Sequence, residues 1–175
     1  MGGRAGRSGG EMVSAREVAR AVPDPELPML SLADLGILRA VEETGGGGVV
    51  VTITPTYSGC PAIGAIRADL SAALRAAGYA EVEVRTLLAP AWTTDWITEE
   101  GRRKLAEAGI APPGPAPARP AGPVPLTLGP VRRLVACPLC GSGDTEEVSR
   151  FGATACKDLW RCRVCQEPFE HVKEL

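Results

Sequence analysis

Seven prolines fall within fourteen residues, 112–125, PPGPAPARPAGPVP. Each proline fixes φ and lacks an N–H, so neither a helix nor an inner strand can run through this stretch. The chain is therefore expected to fold as two units, one on either side. The stretch itself reads as a semi-rigid extended linker, reaching about 40 Å at about 3.1 Å per residue. Residues 1–10, MGGRAGRSGG, predict a disordered tail. The expected organisation is a tail (1–10), a main domain (11–111), a Pro-rich linker (112–130) and a C-terminal module (131–175).

Five of the six cysteines lie in the last 45 residues. Four of them form two C-x2-C pairs, Cys137 with Cys140 and Cys162 with Cys165, with twenty-one residues between the pairs. A C-x2-C turn presents two sulfurs to one point, and two such turns complete a tetrahedron. Gly141 after the first pair suits the sharp turn this requires. The N-terminus lacks the apolar core of a signal peptide, and no run of eighteen apolar residues exists, so a cytoplasmic protein without a membrane span is expected. In a reducing compartment clustered pairs favour metal over disulfides. So short a module with few large apolar side chains also needs a staple. A structural zinc ribbon is the leading expectation, and iron or an iron–sulfur cluster would use the same four thiolates. Phe151, Trp160 and Phe169 are expected to cover the knuckles. The unpaired Cys156 reads as a buried thiol, with a spare ligand or a transfer thiol as alternatives. His171 is the sole histidine, which argues against a histidine-based active site, and it is assigned no role.

Charge narrows the partners. Residues 14–111 carry nine basic and thirteen acidic side chains, and residues 132–175 carry seven of each, so neither unit is a phosphate-binding surface for nucleic acid.

In the main domain, Ser14 and Glu17 form a capping-box pattern for a helix over 15–21, with Val13, Val18 and Val22 as its apolar face. Pro23, Pro25 and Pro28 stop it. Residues 35–42 (LGILRAVE) and 49–54 (VVVTIT) flank Gly45–Gly48 and predict an antiparallel hairpin. Residues 61–77 place Ile63, Ile66, Leu70 and Leu74 at helical spacing, and Gly78 ends the helix. Residues 81–88 alternate as a half-buried strand. Thr98 caps a short charged helix over 98–108. The order α-β-β-α-β-α gives an α+β fold: a small three-stranded sheet with helices on one side, followed by the ribbon module.

The segment TPTYSGCPAIG places Cys60 between a strand end and a helix start. Pro61 is favoured at a first helical position, which would put Cys60 at the cap, facing the positive end of the helix dipole. There the thiolate is favoured and the pKa lowered. Gly59 allows close backbone approach or positive φ. The residue is expected to be a reactive or metal-binding thiolate, against the alternative of a small buried hydrophobe at a tight turn. Asp24 and Glu26 sit in a proline-pinned DPE turn and either support such a site or belong to a solvated turn. Thr56 and Tyr57 precede the cysteine loop. Trp92 and Trp96 flank Asp95; one is expected in the core and the other is left open.

Together, DPE at 24–26, TYSGCP at 56–61, PAWTTDWIT at 90–98 and the terminal CPLCGS and FGATACKDLWRC segments resemble the PaaD family. These proteins are associated with the ring-1,2-phenylacetyl-CoA epoxidase (phenylacetate-CoA oxygenase) system of bacteria. The first domain is similar to SufT-type iron–sulfur assembly proteins, whose DPE turn and T-x-x-x-C-P loop map here onto Asp24, Pro25, Glu26, Thr56, Cys60 and Pro61. The Pro-rich linker looks like a local expansion.

The resemblance implies an accessory role in aerobic phenylacetate catabolism rather than catalysis: maturing or delivering an iron–sulfur cluster. Cys60 would hold iron or a cluster transiently, supported by Asp24, Glu26 and Thr56. The implied partners are the oxygenase and reductase subunits and iron–sulfur assembly proteins. One cysteine is too few to hold a cluster, so a homodimer or partner-shared ligation is a further expectation. A structural adaptor subunit and a rubredoxin-like electron carrier are the alternatives.

Overall fold

The computed structural model describes residues 13–44, 46–57, 59–116 and 133–175. The expected disordered tail, and the expected linker beyond residue 116, lie outside the described residues. In the main domain, α1 (Ala15–Ala21) carries the full capping box: the Ser14 hydroxyl accepts from the Glu17 N–H, and the Glu17 carboxylate accepts from the Ser14 N–H at 3.0 Å. Such a cap stabilises a helix by about 1 kcal/mol. Its buried face is Ala15, Ala19 and the following Val22, whereas Val13 is exposed. The valine face expected from spacing is therefore only partly used, because the helix lies close enough to its neighbours for alanines to make the contact.

Strands β1 (Leu38–Thr44) and β2 (Gly48–Ile53) pair antiparallel, and β3 (Glu81–Thr86) pairs parallel to β2 after a crossover through α2 (Ile63–Ala76). Strand β2 is central and apolar, with Val49, Val51 and Ile53 buried. Ile66, Leu70 and Leu74 of α2 close over the sheet, each fully buried. Side chains of this size stabilise by about 1.5–3 kcal/mol apiece when removed from water. Helix α3 (Glu99–Glu107) begins where expected, Thr98 accepting from the Gly101 N–H at 3.0 Å.

Residues just before the prolines join the C-terminal module. Strand β4 (Ile110–Ala111) pairs parallel to β7 (Pro168–Val172), at the edge of a sheet ordered β4-β7-β6-β5, with β5 Thr145–Ser149 and β6 Lys157–Cys162. Val172 reaches the main core. The Thr94 N–H donates to the Leu175 carbonyl at 3.2 Å. The described start of the proline stretch is also held: Pro113 O accepts from Arg102 at 2.5 Å, the Gly114 N–H donates to Glu174 at 3.3 Å, and the Ala116 N–H donates to Asp95 at 3.0 Å. Over residues 112–116 the stretch thus seals a seam rather than spacing two units apart. The two units bury a common boundary.

Candidate functional site

Two cysteine sites form, built in opposite ways. In the C-terminal module the sulfurs of Cys137, Cys140, Cys162 and Cys165 all lie within 4.8 Å of one another. The Cys137–Cys165 sulfurs are 3.8 Å apart and the Cys140–Cys162 sulfurs 3.6 Å. Four sulfurs bound tetrahedrally at about 2.3 Å from zinc sit about 3.8 Å apart, so the donor set fits zinc as it stands. Gly141 takes φ +75° and donates its N–H to Cys137 O at 2.9 Å, closing the first knuckle. The Cys162 thiol is lowered to about 7, chiefly by the Cys165 N–H and, against the cost of burial, by that of Val164. Cys165 is pushed up to about 12: the Glu167 N–H lowers it, but burial and the neighbouring sulfurs outweigh that. Sulfurs this close, with backbone N–H groups turned toward them, suit a cation that removes their protons. Bound there, a metal would staple the module through these four residues.

Trp160 and Phe169 pack on the knuckles with Ala111 and Val135, as expected of them. Phe151 does not: it is 83 % exposed, carried on the loop before β6. His171, to which the sequence assigned no role, is part of a buried network. It is fully buried, its Nδ1 lies 2.8 Å from Asp158 Oδ1, and Trp160 Nε1 donates to the same oxygen at 2.9 Å. A single histidine in a short terminal strand gave no local sign of this network.

The second site lies at the seam. Asp24, Glu26, Thr56 and Cys60 line one cavity of about 30 Å³, together with Cys156 of the C-terminal module. Its apolar wall includes Leu35, Ile66, Trp92 and Val172. A volume of this size holds one or two water molecules. The Asp24 carboxylate is 6 % exposed, and its Oδ1 accepts from the N–H groups of Glu26 and Leu27, each at 2.9 Å. The DPE segment is therefore a tight turn built on Asp24. Burial raises the Asp24 pKa, and the two N–H groups offset part of that.

Cys60 is half-buried and does not cap the helix. Helix α2 starts at Ile63 with Ala62 as its cap residue, and Cys60 lies in the preceding turn, its N–H donating to Tyr57 O at 3.2 Å. Its pKa is raised, not lowered: desolvation comes first, opposed by the Ala62 N–H, and then Glu26, Asp24 and Cys156 add negative charge. The expected dipole effect fails because Cys60 precedes the cap by two residues and faces carboxylates. Gly59 is not at positive φ, and a Cβ there would crowd the Tyr57 ring at 3.2 Å. Cys156, expected to be buried, is half-buried, 3.2 Å from the Thr154 hydroxyl, and its pKa is likewise raised by desolvation. Trp92 is the core tryptophan, donating to Leu35 O at 2.9 Å. Trp96 stacks under the Arg39 guanidinium, 3.6 Å from the ring centroid.

Comparison with known proteins matches each half of the chain to a domain. A PaaD zinc beta ribbon domain matches residues 121–173, and an iron-sulfur cluster assembly protein domain matches residues 15–85. A protein of Escherichia coli (strain K12), named as the fourth lettered component (D) of 1,2-phenylacetyl-CoA epoxidase, is 45% identical over 156 residues, 87% of this chain and 86% of that one. The chain belongs to the PaaD family. The assembly half is also 33% identical over 87 residues to an Fe-S protein maturation auxiliary factor of Porphyromonas gingivalis (strain ATCC BAA-308 / W83), covering 49% of this chain and 82% of the relative. Among solved structures, a domain of unknown function, DUF59, from Bacillus anthracis is similar at TM-score 0.48 and 28% identity, over 52% of this chain and 87% of that one. The PaaD-family ribbon thus contains the four-sulfur site, and the assembly domain contributes Asp24, Glu26, Thr56 and Cys60 to the seam cavity. Among the described residues no helix is long and apolar enough to cross a membrane.

Proposed function

We propose that this chain is a non-catalytic accessory protein of a phenylacetyl-CoA epoxidase system that matures or delivers an iron–sulfur cluster, or its iron, to the complex. Cys60 is the thiol that takes the cargo, and Asp24, Glu26 and Thr56 shape its surroundings. The observation that carries this reading is the convergence of the DPE turn and the T-x-x-x-C-P loop on one small cavity, in an assembly domain joined to a PaaD-type ribbon. A soft sulfur donor suits iron–sulfur chemistry, and a half-buried, sparsely ligated one suits release. The raised thiol pKa fits a carrier: unloaded, Cys60 is protonated and unreactive, and loading displaces the proton.

The ribbon cysteines hold structural zinc in this account, and the partners are the oxygenase and reductase subunits together with iron–sulfur assembly proteins in the cytoplasm. Deleting the gene should leave the epoxidase subunits produced but cluster-poor, with Cys60→Ser failing to restore them. A reductase fully loaded with iron and sulfide in the deletion strain removes the proposal.

A further inference from the structure

The seam cavity brings together two thiols that are far apart in the chain. Cys60 comes from the turn before α2, and Cys156 from the turn before β6. Both are fixed at the backbone. Cys60 O accepts from the Ile63 N–H at 3.3 Å, and Cys156 O accepts from the Lys173 N–H at 2.9 Å. Neither sulfur belongs to the four-cysteine cluster, and neither is in a disulfide. Both thiols border the cavity with Asp24 and Glu26, while the Lys173 ammonium is turned to Ala155 O at 2.8 Å and that of Lys157 to Glu170 at 2.7 Å. The lining is therefore two soft donors and two carboxylates around a space suited to one ion, with its apolar remainder holding back water.

Resting on the cargo role of Cys60, we infer that Cys156 is the second thiolate of the same site, so that the ribbon and the assembly domain clamp one soft divalent cation, ferrous iron by class, between them. Binding forms two metal–sulfur bonds and releases two protons, with no change of oxidation state. Glu26 is the nearby hard donor. Among the described residues only the ribbon cysteines bring three or more ligand atoms within 4.8 Å, so the seam donors do not close a coordination shell by themselves. Both sulfurs come from one chain, which removes the need for a homodimer to supply the second. It also gives the ribbon a task beyond its own staple, since folding of β6 and β7 sets Cys156 against Cys60.

Cobalt(II) titration of the full-length, zinc-replete protein under anaerobic conditions tests this through thiolate-to-cobalt charge-transfer absorbance. The expected result is a further cobalt ion per chain beyond the ribbon's metal, with the charge-transfer band roughly halved in Cys156→Ser and in Cys60→Ser. Affinity should fall at least about tenfold in either variant, since losing even an outer-shell partner costs about 10–100-fold. Zinc content serves as the folding control and should not change. A Cys156→Ser protein matching wild type in band intensity and affinity overturns the inference, as does a wild type that binds no cobalt beyond the ribbon. The cargo role of Cys60 is judged separately, by cluster content of the reductase in cells carrying Cys60→Ser. That role survives a normal Cys156→Ser titration, and it fails if those cells load the reductase normally whatever the titration gives.

Discussion

The ribbon knuckles and the seam cavity use the same residue type to opposite ends. At the knuckles four sulfurs meet within 4.8 Å and take backbone N–H donors. At the seam, half-buried thiols face carboxylates across a small cavity and their pKa values rise. A full tetrahedron that organises its own fold is a permanent site. On the reading proposed above, a half-built one, whose thiols lie protonated until a cation arrives, is an exchangeable site. The contrast shows that a cysteine's role follows from how many neighbours converge on it and from the charge they carry.

The largest expected effect lies on the ribbon side. Cys162→Ser, or removal of zinc with a strong chelator, should unfold the C-terminal module. Structural zinc contributes about 10–16 kcal/mol of apparent binding free energy in small zinc domains. Loss of the near-ultraviolet signal of Trp160 and full reactivity of Cys156 report it, and a module that stays folded without metal would erase the difference between the two sites. Next, Cys60→Ser should abolish cluster loading of the client while leaving the thermal midpoint within about 2 °C of wild type, since the swap is nearly isosteric at a half-buried position. A large drop in the midpoint would make Cys60 a packing residue instead.

A third test concerns reactivity. Because desolvation and the acidic neighbours raise Cys60, it should alkylate more slowly than free cysteine at pH 7 and accelerate only above the ordinary thiol pKa of 9.0. Rapid alkylation at neutral pH would restore the dipole-activated thiolate that the helix start excludes. The smallest effect is at Asp24. Its folded pKa lies above the ordinary 3.8, so the folded chain binds the proton more tightly than the unfolded one. Stability from this group is complete below 3.8 and is lost as pH rises through the raised value. Asp24→Asn keeps the acceptor for the Glu26 and Leu27 N–H groups and removes the buried charge. It should therefore melt about 2–4 °C higher than wild type at pH 7 and equally near pH 3. A lower midpoint at pH 7 would show that the charge itself holds the turn.

Local signals made much of this molecule legible from its sequence. The Ser14–Glu17 capping box, the Gly-rich hairpin tip, the 63–66–70–74 stripe of α2 and the two C-x2-C pairs each encode geometry within a few residues, and each appears in the structure. What stayed hidden depends on docking between segments distant in the chain. The start of α2 at Ile63 rather than at Pro61 moved Cys60 out of the cap, and the proline gave no sign of it. The pairing of β4 with β7, the burial of His171 against Asp158, and the arrival of Cys156 beside the DPE turn all require the ribbon to fold back across the proline stretch. The candidate residues Asp24, Glu26, Thr56 and Cys60 could be named because two short motifs carry them. Cys156 lies in the FGATACKDLWRC segment, which carries no sign of a partner thiol, and only the fold puts it in the cavity.

Transfer to the client is the most direct test of the central claim. Apo-reductase is mixed anaerobically with wild type or Cys60→Ser protein, each first incubated with ferrous iron and sulfide and then desalted, and cluster acquisition is followed by visible absorbance. The account predicts rapid loading from wild type and no more than the protein-free rate from the variant. Equal transfer from both would contradict it.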